Sequence, residues 1–201
     1  MNQGASRGPS DFDDPTFLDE IRRGDRHAIA AVVHAYLEQI VRAARGAGLE
    51  DAQAEDVAQA TFLTFIETAS RFEGRSKLRT WLFGILFRKI AESRRAGRRE
   101  DDTDDVDREF NKRFDEGGSW VRPPKRADRE LEAGEIRTAI SGCLEGAPQK
   151  QRIAFTLREI EGFETPEICD MLEVSPNNLG VMLHRVRNRL RECLEVKGVQ
   201  P

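Results

Sequence analysis

The sequence contains no run of about 18 apolar residues, and its first residues, MNQGASRGPSDFDD, lack a basic stretch leading into an apolar one. No segment is written to enter a membrane, so the chain is expected to work in the cytoplasm. Cysteine is scarce. Cys143, Cys169 and Cys193 stand singly, with neither the close pairs of a zinc site nor the even count of a disulfide framework. They are expected to be reduced thiols that pack mostly as small hydrophobes. His27, His34 and His184 share no ligand spacing, so no metal or other cofactor is expected. A Gly-rich phosphate loop and a nucleophile with an adjacent base are also missing, which argues against an enzyme and against any catalytic residue. Nor does any segment alternate apolar and polar residues strictly enough for a strand.

What is present is charge. Charged residues make up 34% of the 201 positions and hydrophobic ones 38%, a balance that suits small helical units. The net charge of −4 argues against a nucleic-acid partner until the charges are mapped along the chain.

Helical periodicity runs from Pro15 to Arg99. Phe17, Leu18 and Ile21 mark a short helix, and Ile29, Val32, Val33, Tyr36 and Ile40 a second that ends at Gly46 and Gly48. A third is expected from about Asp51 to Phe72 and a fourth from about Ser76 to Arg95. Composition then changes: EDDTDDVDRE is acidic and nearly devoid of apolar residues, and the stretch after it is rich in Gly, Pro and charge. Residues 100–130 therefore read as a flexible acidic linker, although Phe110, Phe114 and Trp120 hint that it lies against something. Periodicity resumes at Leu131 and stops at Gly146 and Pro148; a further helix carries Ile153, Leu157 and Ile160 to a stop at Gly162. Thr165-Pro166 and Ser175-Pro176 each repeat the pattern of a hydroxyl cap and a first-turn proline. The interval between them gives a short helix, a tight turn and a longer helix, the helix-turn-helix plan. The expected fold is all-α: a disordered tail over 1–14, a helical domain over 15–99, the linker, and a second helical domain over 131–197.

Three constellations carry function. On the last helix Leu179, Leu183, Val186 and Leu190 share one side, while Asn177, Val181, His184, Arg185 and Asn188 fall nearly opposite, with Asn178 at the start and Arg187, Arg189 and Arg191 beside the stripe. Apolar contact behind, base-edge donors in front and flanking cations for phosphates are what a recognition helix needs. Between Arg71 and Arg99 ten basic residues face two acidic ones, a local net of +8, with Phe72, Trp81, Phe83 and Phe87 interleaved. Cations with aromatic platforms suit single-stranded or melted nucleic acid. On the helix after Asp51, finally, Asp56, Gln59 and Leu63 project away from the inner stripe of Ala58, Thr61, Phe62 and Phe65.

Together these pieces resemble the extracytoplasmic-function group of RNA polymerase sigma factors, in the sigma-70 family. Residues 54–86, AEDVAQATFLTFIETASRFEGRSKLRTWLFGIL, resemble the family's region 2. Residues 147–195, APQKQRIAFTLREIEGFETPEICDMLEVSPNNLGVMLHRVRNRLRECLE, resemble its region 4, and Gly118 to Trp120 resembles a GxW-containing linker of one subgroup. The resemblance implies that Asp56, Gln59 and Leu63 dock on the clamp helices of the β′ subunit of core polymerase, and that region 4 meets the β flap. It implies that Phe72, Arg75, Ser76, Lys77, Trp81, Arg88, Arg94 and Arg95 handle the −10 element of promoter DNA, the loop from Phe72 to Ser76 capturing a flipped base. Region 4 would read the −35 element through Asn177, Asn178, Val181, His184, Arg185, Asn188 and Arg189. The linker would thread toward the polymerase channels, and an anti-sigma protein would be a further partner. Arg88 stands where many members carry Asn, and Gly180 stands where many carry a cation or a large side chain. The rival reading is a one-component helix-turn-helix regulator that binds duplex DNA without polymerase. It fits the +8 aromatic patch poorly, because ligand pockets are mainly apolar.

Overall fold

The computed structural model describes residues 12–97 and 133–198. Every regular element among them is helical. Four helices form the first unit: α1 (Pro15–Arg22), α2 (Arg26–Gly46), α3 (Asp51–Thr68), which tightens into a 3₁₀ turn at Ala69–Arg71, and α4 (Leu78–Gly97). Four form the second: α5 (Ala133–Leu144), α6 (Gln149–Phe155), α7 (Thr165–Leu172) and α8 (Pro176–Val196). The expected linker lies outside the described residues, as do residues 1–11.

The ends of these helices are set locally. Asp14 and Asp25 accept backbone N–H groups of the first turns of α1 and α2, and Pro15 occupies a first-turn position where no donor is needed. Glu50 and Gln53 form a reciprocal capping box on α3. Ser175 caps α8 as its sequence suggests, accepting from the Asn178 N–H at 3.2 Å. The cap of α7 differs from expectation. Glu164 and Glu167 form a capping box there, and Thr165 is already the first helical residue. A carboxylate one position earlier can accept the first-turn donors, leaving Thr165 and Pro166 free to start the helix.

Two further expectations are corrected. Phe12, Asp13 and Asp14 fall in the expected tail, yet Phe12 is 1% exposed, stacks on Phe17 at 4.8 Å and meets the edge of Tyr36. Asp13 accepts the Leu78 N–H at 2.8 Å, supplying a partner for an orphan donor at the start of α4. The cysteines are also not all thiols: Cys143 and Cys193 are bridged, and Cys169 alone is unbridged. Spacing gave no hint of this pair because 50 residues separate its members, and only the packing of α5 on α8 brings their Cα atoms to 5.7 Å.

The larger core runs through both units. Val32, Tyr36, Ile40, Phe65, Leu82, Phe83 and Leu86 of the first unit share it with Leu157, Phe163, Ile168 and Leu179 of the second. A smaller cluster of Cys143, Leu144, Ala147, Val186, Leu190 and Leu194 lies between α5 and α8. Phe12→Ala should therefore destabilise the protein by about 3 kcal/mol or more, as for other buried Phe truncations, although the residue precedes the first helix. Urea unfolding followed by circular dichroism checks this.

Candidate functional site

The surface between α2 and α3 carries an apolar groove. Val33, Leu37 and Val41 recur every fourth residue of α2 and face Ala58, Phe62, Leu63 and Ile66 of α3, with Glu55 and Gln59 at its polar edge. Leu63 is 55% exposed, Ile66 46% and Leu37 45%. Side chains this apolar and this open, side by side, form one contiguous apolar patch rather than scattered singletons. Asp56 and Gln59 are exposed beside Leu63. Sequence reasoning found Gln59 and Leu63 of this groove and missed Leu37 and Ile66, whose signal is the second apolar row at four-residue spacing on α2 and the three-residue step from Leu63.

The basic cluster divides in two. Arg75, Ser76 and Lys77 form an exposed loop before α4, and Arg88 is exposed further along that helix. Phe72 is buried instead, stacked on Trp81 at 4.7 Å, with its carbonyl accepting from Arg22 Nε at 2.8 Å. Trp81 is half-buried over Phe72 and Phe65 and keeps part of its surface beside the loop. The Arg94 and Arg95 side chains lie outside the described residues.

In the second unit Asn177, Asn178, Val181 and His184 are exposed along one side of α8, and Arg185 and Arg189 are half-exposed. Leu179, Met182, Leu183, Val186 and Leu190 are buried behind them. Asn188 departs from its expected place. It is 6% exposed, with Nδ2 2.9 Å from His184 Nε2, so it positions the imidazole from beneath rather than facing outward. The wheel placed it opposite the stripe, but α8 is covered on more than one side near its middle, and a buried amide there takes the polar partner one turn away. Arg187 is held by Glu159, with Nε donating to Oε1 at 3.2 Å.

The two units are interlocked through residues that periodicity did not single out. Past α6 the chain continues in a wide π-helical turn, Thr156–Ile160, closed by the Glu161 N–H on the Thr156 carbonyl at 2.9 Å. Gly162, at φ +68°, then reverses the chain. Glu161 thereby points into the first unit with its side chain 1% exposed. Arg42 Nε donates to its Oε1 at 3.0 Å, and Arg79 Nη2 donates to its Oε2 at 3.1 Å and to its carbonyl at 2.8 Å. The Arg79 guanidinium also stacks over Phe163, 4.1 Å from the ring centroid, and Phe163 meets Phe83 edge to face at 4.9 Å. Thr80 Oγ1 donates to Glu167 Oε1 at 2.7 Å. Burial pushes the Glu167 carboxyl up, but the Glu164 N–H, the Thr80 hydroxyl, Lys77 and Arg79 outweigh it and hold the group below its usual range. One signal of the interlock was present in the sequence. An acid at the C-terminal end of a helix opposes the helix dipole, so Glu161 needs a cation from elsewhere.

Residues 32–100 match the family described as Sigma-70 region 2, and residues 137–190 match Sigma-70, region 4. The chain is 34% identical over 154 residues to "Probable RNA polymerase sigma factor" of Haemophilus influenzae, covering 72% of this chain and 78% of that one. It is 28% identical over 188 residues to the RNA polymerase sigma-H factor of Pseudomonas aeruginosa, covering 90% and 94%. To the ECF RNA polymerase sigma-E factor of Escherichia coli it is 25% identical, covering 94% and 95%. Among solved structures, CnrH in complex with the cytosolic domain of CnrY superposes with a TM-score of 0.64 at 19% identity, covering 92% of this chain and 98% of that one. The sigma factor RpoE bound to the anti-sigma factor NepR from Bartonella quintana gives 0.56 at 22%, covering 82% and 94%.

Glu161→Gln removes the charge that both guanidinium groups enclose and should loosen the two units. The radius of gyration from small-angle scattering should rise while helix content is kept. Acid should act in the same direction through Glu167. A depressed folded-state value means that its contribution is intact above the ordinary carboxylate value of about 4.3 and is lost as pH falls through the depressed one.

Proposed function

The chain belongs to the sigma-70 family as an extracytoplasmic-function member, a factor that binds core RNA polymerase and directs promoter-specific initiation, and on that premise we propose how its surfaces divide the work. The α2–α3 groove docks on the β′ clamp helices, with Leu63 at its centre and Asp56 and Gln59 at its polar edge. The observation that carries this reading is the adjacent exposure of Leu37, Leu63 and Ile66, which no element of the chain's described residues covers. Burying such side chains against a partner is favourable by about 1.5 to 3 kcal/mol each. The exposed Arg75–Lys77 loop, the Trp81 face and Arg88 engage the −10 element, cations holding phosphates while the indole offers a stacking surface. Phe72 supports Trp81 from beneath. Arg94 and Arg95 continue the basic strip in sequence.

The exposed side of α8 reads the −35 element in the major groove. Asn177, Asn178, Val181 and His184 face outward there, with Arg185 and Arg189 at its margins. Asn188 acts through His184. Region 4 also contacts the β flap, and an anti-sigma protein is a further partner, as NepR is for the RpoE protein. These tasks place the protein in the cytoplasm. Among the described residues no helix is long and apolar enough to cross a membrane.

Leu63→Asp should weaken binding to core polymerase by about 10- to 100-fold, the equivalent of one buried Leu lost to a charge, with unchanged circular dichroism. Equal core affinity in the variant would remove the groove from the interface. On α8, Arg185→Ala should cost about 1 to 3 kcal/mol at the preferred −35 sequence and relax discrimination at one base. Arg189→Ala should weaken all sequences alike and lower the salt dependence by about one phosphate contact. A library of −35 sequences transcribed by holoenzyme separates the two.

A further inference from the structure

The long helix α8 is anchored twice. Its N-terminal half, through Leu179, Met182 and Leu183, is seated in the larger core. Its C-terminal half, through Val186, Leu190 and Leu194, meets Cys143, Leu144 and Ala147 of α5 and the turn after it. This second anchor is small, and the Cys143–Cys193 bridge lies within it. Cys193 stands one turn beyond Arg189, so the bridge fixes the C-terminal half of α8, the end that follows the exposed residues from Asn177 to His184. Cys169, on α7, lies apart from this cluster and is unbridged.

A thiol pair placed to close in this way has two stable forms. Cytosolic thiols are kept reduced, and bridges that do form there are commonly transient and redox-sensing. We propose that Cys143 and Cys193 are a redox-responsive staple: a peroxide closes the bridge, locks α5 onto α8 and raises promoter output, and reduction releases it. Cys193 is partly exposed and Cys143 is buried, which assigns the order of events. The Cys193 thiolate attacks the O–O bond and becomes a sulfenic acid, releasing water from hydrogen peroxide. The Cys143 thiol then attacks that sulfur, forming the S–S bond and expelling a second water. Two thiols lose two electrons and two protons, and one peroxide is reduced to two waters. The closed bridge links positions 50 residues apart, which restricts the unfolded chain far more than the folded one. The effect on promoter output rests on the reading of α8 as the −35 helix; the thiol chemistry and the stability effect do not.

The test uses the full-length protein, reduced and desalted, then treated with an equal amount of hydrogen peroxide. Titratable thiols in denaturant should fall from three to one, peptide mapping should find Cys143 joined to Cys193, and Tm should rise by roughly 10 °C. Mixed with reductant-free core polymerase, the oxidised factor should give several-fold more −35-dependent run-off transcript than the reduced one. The Cys143→Ser/Cys193→Ser double variant should lose both responses, and Cys169→Ser should keep both. Three thiols surviving the peroxide, a bridge that uses Cys169, or a bridge that leaves Tm unchanged would each overturn the staple. A raised Tm with unchanged −35-dependent output would overturn its link to transcription. Output indifferent to the −35 sequence in both redox states would instead locate the failure in the reading of α8.

Discussion

Glu161 is a carboxylate with almost no contact with water, held between two arginines that belong to another part of the chain. A buried charge of this kind is tolerable only when it is paired and its lone pairs are occupied. Arg42 and Arg79 meet that demand from different helices, and Arg79 also takes the Glu161 carbonyl, so the same contact closes the end of the π turn. The arrangement works only while the two units are together. Parting them would return Glu161 and both guanidinium groups to water, which recovers their hydration. The interlock is thus a specific contact between units, with its strength set by how completely water is excluded.

Around that contact the surfaces sort themselves. Of the residues that face the second unit, Arg79, Thr80 and Phe83 lie on α4 and Arg42 on α2, and Gly46 and Gly48 at the end of α2 leave room for the other side. A Cβ at Gly46 would stand 2.7 Å from Thr156 Oγ1, and one at Gly48 would fall on the Arg152 guanidinium. Glycine is required at 48 for conformation as well, since φ is +89°. Meanwhile the α2–α3 groove stays open to solvent in the interlocked arrangement. A partner can reach the groove without first separating the units.

The last helix shows how one element serves two masters. Its buried stripe is continuous, but the first half packs into the core shared by both units and the second half packs on α5, the turn after it and Phe155 of α6. The outward residues lie across the boundary between these anchors. His184 is oriented by the buried Asn188, so one exposed side chain is positioned by an amide that never reaches the surface.

Much of this was legible in the residues. Apolar spacing located all eight helices of the described residues, because a helix that buries one face must repeat near 3.6 residues wherever it occurs. Turn chemistry at Gly48, Gly162 and Ser175 acts over a few residues and was equally plain, and motif order was enough to indicate region 2 and region 4. Tertiary structure alone decided the rest. That Phe12 is core, that Asn188 is buried, that Cys143 meets Cys193 and that Glu161 lies between Arg42 and Arg79 all depend on which helices pack together. Such contacts join residues 24 to 119 positions apart, as Phe12 with Tyr36 and Arg42 with Glu161, and local periodicity carries no term for partners at that distance. A helix wheel assigns one inner and one outer side, and it fails where an element, like α4 or α8, is covered from two directions.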